Sequence, residues 1–211
     1  AYGLIEHDEN IRNNVDFVKP SLIDRQGHPP IYKYFRTKEK QYEFLKNEIN
    51  VLRNDYTFSD ICIVAKEKRL IDDTQITLES YKIPCEILNQ REPDFDSDKV
   101  KLTTMHSIKG LEFKVIILID LNEDVIPNNI NYEMDDDNNF ESDERKLLYV
   151  GMTRANELLY MSSVGKPSKF IKEINNEHLR FKRDCSIKPF QSISMINYKL
   201  QDQILDINAK E

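Results

Sequence analysis

Apolar runs and amphipathic segments alternate along most of the chain. Residues 31–35, IYKYF, predict a strand, and apolar side chains then recur at helical spacing over 38–54, after Thr37, which can cap a helix. The apolar run Ile61–Ala65 predicts a buried strand, and residues 70–81 predict a second helix. This alternation predicts an α/β fold with a mainly parallel sheet flanked by helices.

The second half of the chain continues this alternation. Strands are predicted over 85–88, 100–104, 115–120 and 157–163, and helices over 144–155 and 167–174, the last beginning at Pro167. Residues 133–144, EMDDDNNFESDE, are expected to form a long acidic loop. Residues 1–175 are therefore interpreted as one domain, and the weakly patterned residues 176–211 as a tail or a partial extra element.

The composition excludes several classes of protein. Of the 211 residues, 39% are hydrophobic, which suffices for a buried core. No 18-residue apolar stretch predicts a membrane span, and AYGLIEHDEN lacks the pattern of a signal peptide, so we expect a cytoplasmic protein with no membrane partner. The three scattered cysteines predict buried thiols and no metal site.

The net charge is −7, which changes what can be expected of nucleic-acid binding. Domains that hold nucleic acid by bulk electrostatics are usually basic. Any contact with nucleic acid must therefore be local, made by a few side chains.

A polar segment, TTMHSIKGLEF at 103–113, lies between two predicted strands. In open α/β sheets, ligands bind outside the carboxyl ends of the strands, which is where Thr104 and His106 are expected. Gly110 would permit a close backbone approach to a ligand. By composition alone, a solvated loop with a capping threonine remains the alternative.

A second dense segment, ERKLLYVGMTRA at 144–155, has helical spacing and places Arg154 near the helix end. An arginine in this position can stabilise the terminal carbonyl groups of the helix. It can also direct its guanidinium toward a phosphate, whose oxygens match the fork of N–H donors. The segment alone leaves both interpretations open.

Together the two segments resemble motifs V and VI of superfamily 1 DNA helicases of the UvrD/Rep type, in the order in which that family has them. The pattern T-x-H-x-x-K-G-L-E-F is matched from Thr104 to Phe113, and E-R-x-L-x-Y-V-x-x-T-R-A from Glu144 to Ala155. A weaker likeness, SDICIVAKEKRL followed by LESYKIPCEIL, is similar to a strand–helix unit of the family, with Lys82 in place of a glycine. The likeness extends from about Arg25 to Ile174.

The resemblance implies the second, C-terminal RecA-like domain of an enzyme that hydrolyses ATP with Mg²⁺ and moves along single-stranded DNA. By this likeness Arg154 is the catalytic arginine finger and binds ATP. Glu112 would accept a hydrogen bond from the ribose of ATP, and Gly110 would let the backbone come near the nucleotide.

The resemblance also implies DNA contacts. Thr104 and His106 would bind the DNA backbone from motif V. Lys66 and Lys68, after the predicted strand Ile61–Ala65, are candidates for further backbone contacts, with solvated surface lysines as the alternative.

The sequence lacks a G-x-x-x-x-G-K-[ST] loop, and the first ten residues do not show the family's motif IV. We therefore expect the phosphate cradle and the Mg²⁺ ligands in a first RecA-like domain of the same polypeptide, and no ATP hydrolysis by this chain alone. Only residues 89–98 stand where many relatives carry an accessory subdomain, so a compact variant is expected.

Two other classes of function stay open. A non-catalytic, helicase-like module could bind a partner protein through the acidic run 133–144. A metal-dependent nuclease could use the carboxylates of Asp120, Glu123 and Asp124, which are close in sequence.

Overall fold

The computed structural model describes residues 4, 28–88, 97–127, 137–174 and 179–183. Its strands are β1 (Ile31–Phe35), β2 (Ile61–Ala65), β3 (Cys85–Ile87), β4 (Val100–Thr104), β5 (Phe113–Leu118), β6 (Ala155–Val164) and β7 (Arg180–Arg183). Its helices are α1 (Lys38–Leu52), α2 (Lys68–Ser80), α3 (Asp137–Met152) and α4 (Lys169–Glu173), with a 3₁₀ turn at Phe58–Asp60.

The described strands form one sheet in the order β3-β4-β2-β5-β6-β1-β7. Every pair of neighbours in it is parallel. All strands therefore begin at one end of the sheet, here called the amino end, and stop at the other, the carboxyl end. The predicted α/β fold with a mainly parallel sheet is confirmed.

Helices cover both faces of the sheet, and each face has its own core. One core joins Cys62, Val64, Ile116 and Leu118 of the central strands to α3 and α4 through Leu148, Met152, Phe170 and Ile171. The other joins Ile61, Ile63, Val115 and Ile117 to α1 and α2 through Leu45, Ile49, Ile71 and Leu78. Burial on both faces explains why β2 and β5 are continuous apolar runs in the sequence.

The predicted first helix is confirmed, with Thr37 as its N-cap: the Thr37 hydroxyl accepts a hydrogen bond from the backbone N–H of Lys40 at 3.5 Å. The last helix begins later than the predicted start at Pro167, because Ser168 is its N-cap. The Ser168 hydroxyl accepts from the N–H of Phe170 at 3.2 Å, so the helix begins at Lys169.

The acidic segment 133–144 was wrongly predicted to be a loop throughout, because α3 already begins at Asp137. Carboxylates are favourable in the first turns of a helix, where the backbone dipole presents positive charge, so an acidic run need not be a loop. Residues 128–136 lie outside the described part of the chain.

Two strand predictions also shift. β5 ends at Leu118, and Asp120 lies beyond it with a positive φ of 57°. β7 falls within the predicted tail 176–211 and pairs with β1, so at least four residues of that segment add a strand to the sheet. Residues 184–211 lie outside the described part of the chain.

Two of the three cysteines lie in the described residues, and both are buried and unpaired. Burial raises the pKa of the Cys62 thiol, and it raises that of Cys85 to about 11. Cys185 is outside the described residues. Within the residues that the structure describes, no helix combines the length and the apolar character needed to cross a membrane.

Two isoleucines should differ in how much their truncation lowers the free energy of unfolding, because only one of them is buried in the core. Ile117 is fully buried in β5, whereas Ile76 on α2 is 66% exposed. Ile117→Ala should lower the free energy of unfolding by about 2–5 kcal/mol, because it removes buried methyl groups and leaves a cavity. Ile76→Ala removes the same atoms and should change it by less than about 0.5 kcal/mol. Urea unfolding followed by circular dichroism measures both; equal losses would contradict the described core.

Candidate functional site

Residues 105–112, here called the crossing segment, connect β4 to β5. Both strands are parallel to β2: Thr104 is level with Ala65, and Val115 is level with Ile61. The chain must therefore return from the carboxyl end to the amino end of the sheet before Phe113. This displacement is about six residues of strand, or about 20 Å.

The crossing segment is anchored on its inner side and exposed on its outer side. Met105 and Ile108 are buried in the core beneath α3, and the N–H groups of Ser107 and Ile108 donate to the Thr104 carbonyl at 3.0 and 3.1 Å. Exposed residues alternate with these anchors: His106, Lys109, Gly110 and Glu112. This pattern accounts for a polar segment so close to a buried strand.

Gly110 has a φ of +87°, a conformation that L side chains rarely adopt, and the space around it is open. A glycine therefore suits the turn that leads into β5. The openness is consistent with the predicted close approach of a ligand to this backbone.

Glu112 and Arg154 come together at the amino end of the sheet. Phe113, which follows Glu112, is paired with Ala155, which follows Arg154. The Phe113 N–H donates to the Arg154 carbonyl at 3.1 Å. The two residues that carry the predicted nucleotide contacts thus precede neighbouring strands, although 42 positions separate them in the sequence.

The Arg154 guanidinium is bound by neutral oxygens alone among the described residues. Its Nε donates to the Val150 carbonyl at 3.3 Å, and its Nη2 to the Thr153 hydroxyl at 3.3 Å. No described carboxylate lies within ion-pair distance of this half-buried side chain. Its fork of donors is thus partly oriented, and its charge is not neutralised by the described part of the chain.

Arg145, the other arginine of motif VI, is surrounded by carboxylates and an aromatic ring. Its guanidinium binds both carboxylate oxygens of Glu173, at 3.1 and 2.9 Å, and Glu141 at 3.1 Å. It also stacks over the Phe170 ring at 4.8 Å. Arg145 therefore ties α3 to α4, and its charge is compensated.

Motifs V and VI also pack against each other. A Cβ at Gly151 of α3 would lie 3.4 Å from Leu118 Cδ2 and 3.9 Å from Met105 Cγ. The absence of a side chain at Gly151 lets α3 lie close to β5 and to the start of the crossing segment. The helix that leads to Arg154 is thereby held against the segment that leads to Glu112.

The predicted DNA contacts lie at the carboxyl end of the sheet. The Thr104 hydroxyl donates to the Ser107 hydroxyl at 2.9 Å, and His106 next to it is exposed. Lys68 is exposed at the first position of α2. Lys66 is the least accessible of the four, since its ammonium contacts Glu144 and each of the two side chains is 10% exposed.

A cleft of about 500 Å³ also opens at the carboxyl end, between α1 and α2. Lys38 binds the buried carboxylate of Asp120 there; burial lowers the pKa of Lys38, and the charge of Asp120 opposes that change. Sequence reasoning missed Lys38, because nothing in its spacing marks it. None of the predicted nucleotide or DNA residues lines this cleft.

Two of the three carboxylates of the nuclease alternative have lysine partners. Asp120 pairs with Lys38 and Glu123 with Lys166. Across residues 28–88, 97–127 and the later described ranges, no three His, Cys, Asp or Glu side chains are grouped so as to hold a metal ion.

Comparison with known proteins gives matches to DNA helicases. Residues 88–166, which include both motifs, match the model of the UvrD-like helicase C-terminal domain. The relationship to superfamily 1 DNA helicases of the UvrD/Rep type is confirmed. The chain is 31% identical to the ATP-dependent DNA helicase srs2 of Schizosaccharomyces pombe over 145 residues, and 26% identical to the "Probable DNA helicase II homolog" of Mycoplasma genitalium over 216 residues.

These matches cover 69% and 94% of this chain but only 15% and 29% of the two relatives. The chain therefore spans less than a third of their length. A solved structure, the C-terminal domain of a possible DNA helicase from Lactobacillus plantarum, matches with a TM-score of 0.60 and 20% identity over 76% of this chain and 89% of that one. At this identity the likeness shows the fold alone.

The two arginines of motif VI should differ in their effect on stability. Arg145→Ala should lower the free energy of unfolding by roughly 1.5–3 kcal/mol, since it removes charged hydrogen bonds and leaves Glu173 without this partner. Among the described residues, Arg154→Ala removes only bonds to neutral oxygens, and it should cost about 1 kcal/mol or less. Urea unfolding of both variants measures the difference. A larger loss at Arg154 would make it the structural arginine.

Proposed function

We propose that this chain is the C-terminal motor domain of an ATP-dependent DNA helicase or translocase, and that it supplies one side of the ATP site and part of the track for single-stranded DNA. The observation that carries the proposal is the pairing of Phe113 with Ala155, which brings Glu112 and Arg154 together at the amino end of the sheet. The family match over residues 88–166 supports it.

In the proposed ATP site, Arg154 acts on the γ-phosphate. Charge spreads over the phosphoryl oxygens in the transition state, and a rigid guanidinium fork can bind two of them. The hydrogen bonds of Arg154 to Val150 and Thr153 hold the fork at the end of α3 without neutralising it. Glu112, exposed on the neighbouring segment, accepts a hydrogen bond from the ribose, and Gly110 leaves room for the nucleotide.

The remaining parts of the ATP site come from elsewhere in the protein. The chain has no phosphate-cradling loop of the Walker A type, and its described residues offer no cluster of metal ligands. The β- and γ-phosphates and Mg²⁺ are therefore held by a first RecA-like domain, which closes on the amino end of this sheet. ATP with Mg²⁺ and that domain are the partners that the proposal requires.

Single-stranded DNA binds at the opposite end of the sheet. Thr104, His106 and Lys68 would contact its phosphates, with Lys66 behind them. The contact is local, since the chain has a net charge of −7. The crossing segment joins the two sites over about 20 Å, so a shift of one end during hydrolysis displaces the other.

The first prediction from this proposal is that the purified chain has no ATPase activity of its own, because the phosphate cradle and Mg²⁺ ligands are not in it. Phosphate release is measured with and without single-stranded DNA. Turnover that co-purifies with the chain through further chromatography would contradict the proposal that a second domain completes the site.

The second prediction concerns Arg154→Ala in the full-length protein. Because Arg154 binds charge that develops in the transition state, DNA-stimulated kcat should fall by about 10³–10⁵, while the Kd for ATP changes little. His106→Ala should instead weaken binding of single-stranded DNA and leave most of the basal turnover. Steady-state kinetics and fluorescence anisotropy measure these quantities.

Arg180→Ala is the matched control, since Arg180 is exposed on β7, an edge strand separated by β1 from the strand that follows motif VI. It should behave as the unaltered protein in both assays. Wild-type turnover of Arg154→Ala would show that the arginine is not a catalytic residue. The non-catalytic interaction module would then be the better account.

A further inference from the structure

The ion pair between Lys66 and Glu144 connects the end of β2, near the proposed DNA site, to α3, the helix that leads to Arg154. Lys66 lies in the turn after β2, Glu144 lies in α3, and each side chain is only 10% exposed. A charge so nearly buried is tolerated when its partner is in contact, and removal of either partner leaves an uncompensated charge. The pair therefore fixes α3 against the end of β2.

Lys66 belongs to the end of the sheet where DNA is proposed to bind. It follows Ala65, which is level with Thr104 in the neighbouring strand, and it precedes Lys68 by two residues. Its ammonium nevertheless contacts a carboxylate of α3, and its side chain is only 10% exposed. The sequence alone predicted Lys66 as a DNA contact because a lysine after a strand carries no sign of its partner.

Glu144 belongs to the helix that delivers Arg154. It lies eight residues before Met152, the last residue of α3, so the helix continues for about 12 Å beyond it. Only Thr153 and Arg154 then separate α3 from β6. Because β6 begins at the amino end of the sheet, α3 runs from the proposed DNA site toward the proposed ATP site.

Several contacts hold α3 in place, and three of them lead to different parts of the fold. Arg145 ties it to α4 through Glu173, and Gly151 allows close packing on Leu118. Among the ion pairs of the described residues, the one between Lys66 and Glu144 joins α3 to the turn that leads into α2, whose first residue is the proposed DNA contact Lys68.

We propose that Lys66 and Glu144 are positioning residues, whose ion pair sets α3, and with it Arg154, in register with the DNA-binding end of the sheet. The inference rests on the proposed function, since it concerns how the same domain couples its two ligands. Lys66 then acts through α3 and makes no direct contact with a DNA phosphate. DNA-stimulated turnover depends on the pair, whereas DNA affinity does not.

The test uses the full-length protein and three variants of it: Glu144→Gln, Lys66→Met, and the double variant Lys66→Met/Glu144→Met. Measured quantities are kcat at saturating single-stranded DNA, KM for ATP, and the Kd for DNA. Each single change should lower kcat about tenfold or more and leave the Kd for DNA unchanged. The double variant should recover most of kcat, because an apolar pair can dock the helix without leaving a buried charge.

The matched control is Asp143→Asn, which makes the same chemical change one residue before Glu144 on a side chain that is 74% exposed. It should leave all three quantities unchanged. Circular dichroism and thermal melts establish that each variant is folded. If the single variants do not fold, the double variant still decides: wild-type kcat supports docking by the pair, and a loss of kcat in a folded double variant overturns it.

Three further outcomes distinguish failure of this inference from failure of the proposal on which it rests. A Lys66→Met variant with a weakened DNA affinity and a normal kcat at saturating DNA would make Lys66 a direct DNA contact and overturn the positioning role. If Arg154→Ala loses turnover in the same series while Glu144→Gln keeps it, the positioning role alone is wrong. If Arg154→Ala keeps turnover, the proposed function fails first.

Discussion

The parallel pairing of β4 and β5 with the same strand, β2, is the constraint on which the proposed site depends. A chain that leaves one strand at the carboxyl end of a sheet must travel back to the amino end before it can enter a parallel neighbour. Most such connections are helices that cover a face of the sheet. Here the crossing segment connects the two ends of the sheet with eight residues, so Thr104 and Glu112 lie at opposite ends of one domain.

The cations around α3 fall into two groups: those that contact carboxylates, and one that contacts only neutral oxygens among the described residues. Arg145 and Lys66 contact carboxylates, and both contacts position α3. Arg154, which follows this helix, is bound only by neutral oxygens among the described residues. A cation that is oriented but not neutralised is suited to an anion that arrives from outside, such as a phosphate. The two arginines of motif VI thus have different environments: Arg145 is paired with carboxylates, and Arg154 is bound only by neutral oxygens among the described residues.

Much of the fold could be predicted from the sequence, because its strands are buried on both faces and read as apolar runs. The end of β5 and the start of α3 could not. Asp120 follows directly on an apolar run yet lies outside the strand, paired with Lys38, and the acidic residues before Glu141 have the composition of a loop. The positions of Glu112 and Arg154 also depended on register, because the rule that ligands bind at carboxyl ends of strands predicts the opposite end of the sheet. The partner of Lys66 could not be predicted either, because 78 positions separate Lys66 from Glu144 in the sequence.

The nucleotide is proposed to bind at the amino end of the sheet, beside Glu112 and Arg154. The most direct measurement is a structure of the full-length protein with ADP, Mg²⁺ and a γ-phosphate mimic such as aluminium fluoride. We expect the Arg154 guanidinium within about 3 Å of the mimic and the Glu112 carboxylate at the ribose. A nucleotide in the cleft beside Lys38 and Asp120, at the carboxyl end, would contradict the account.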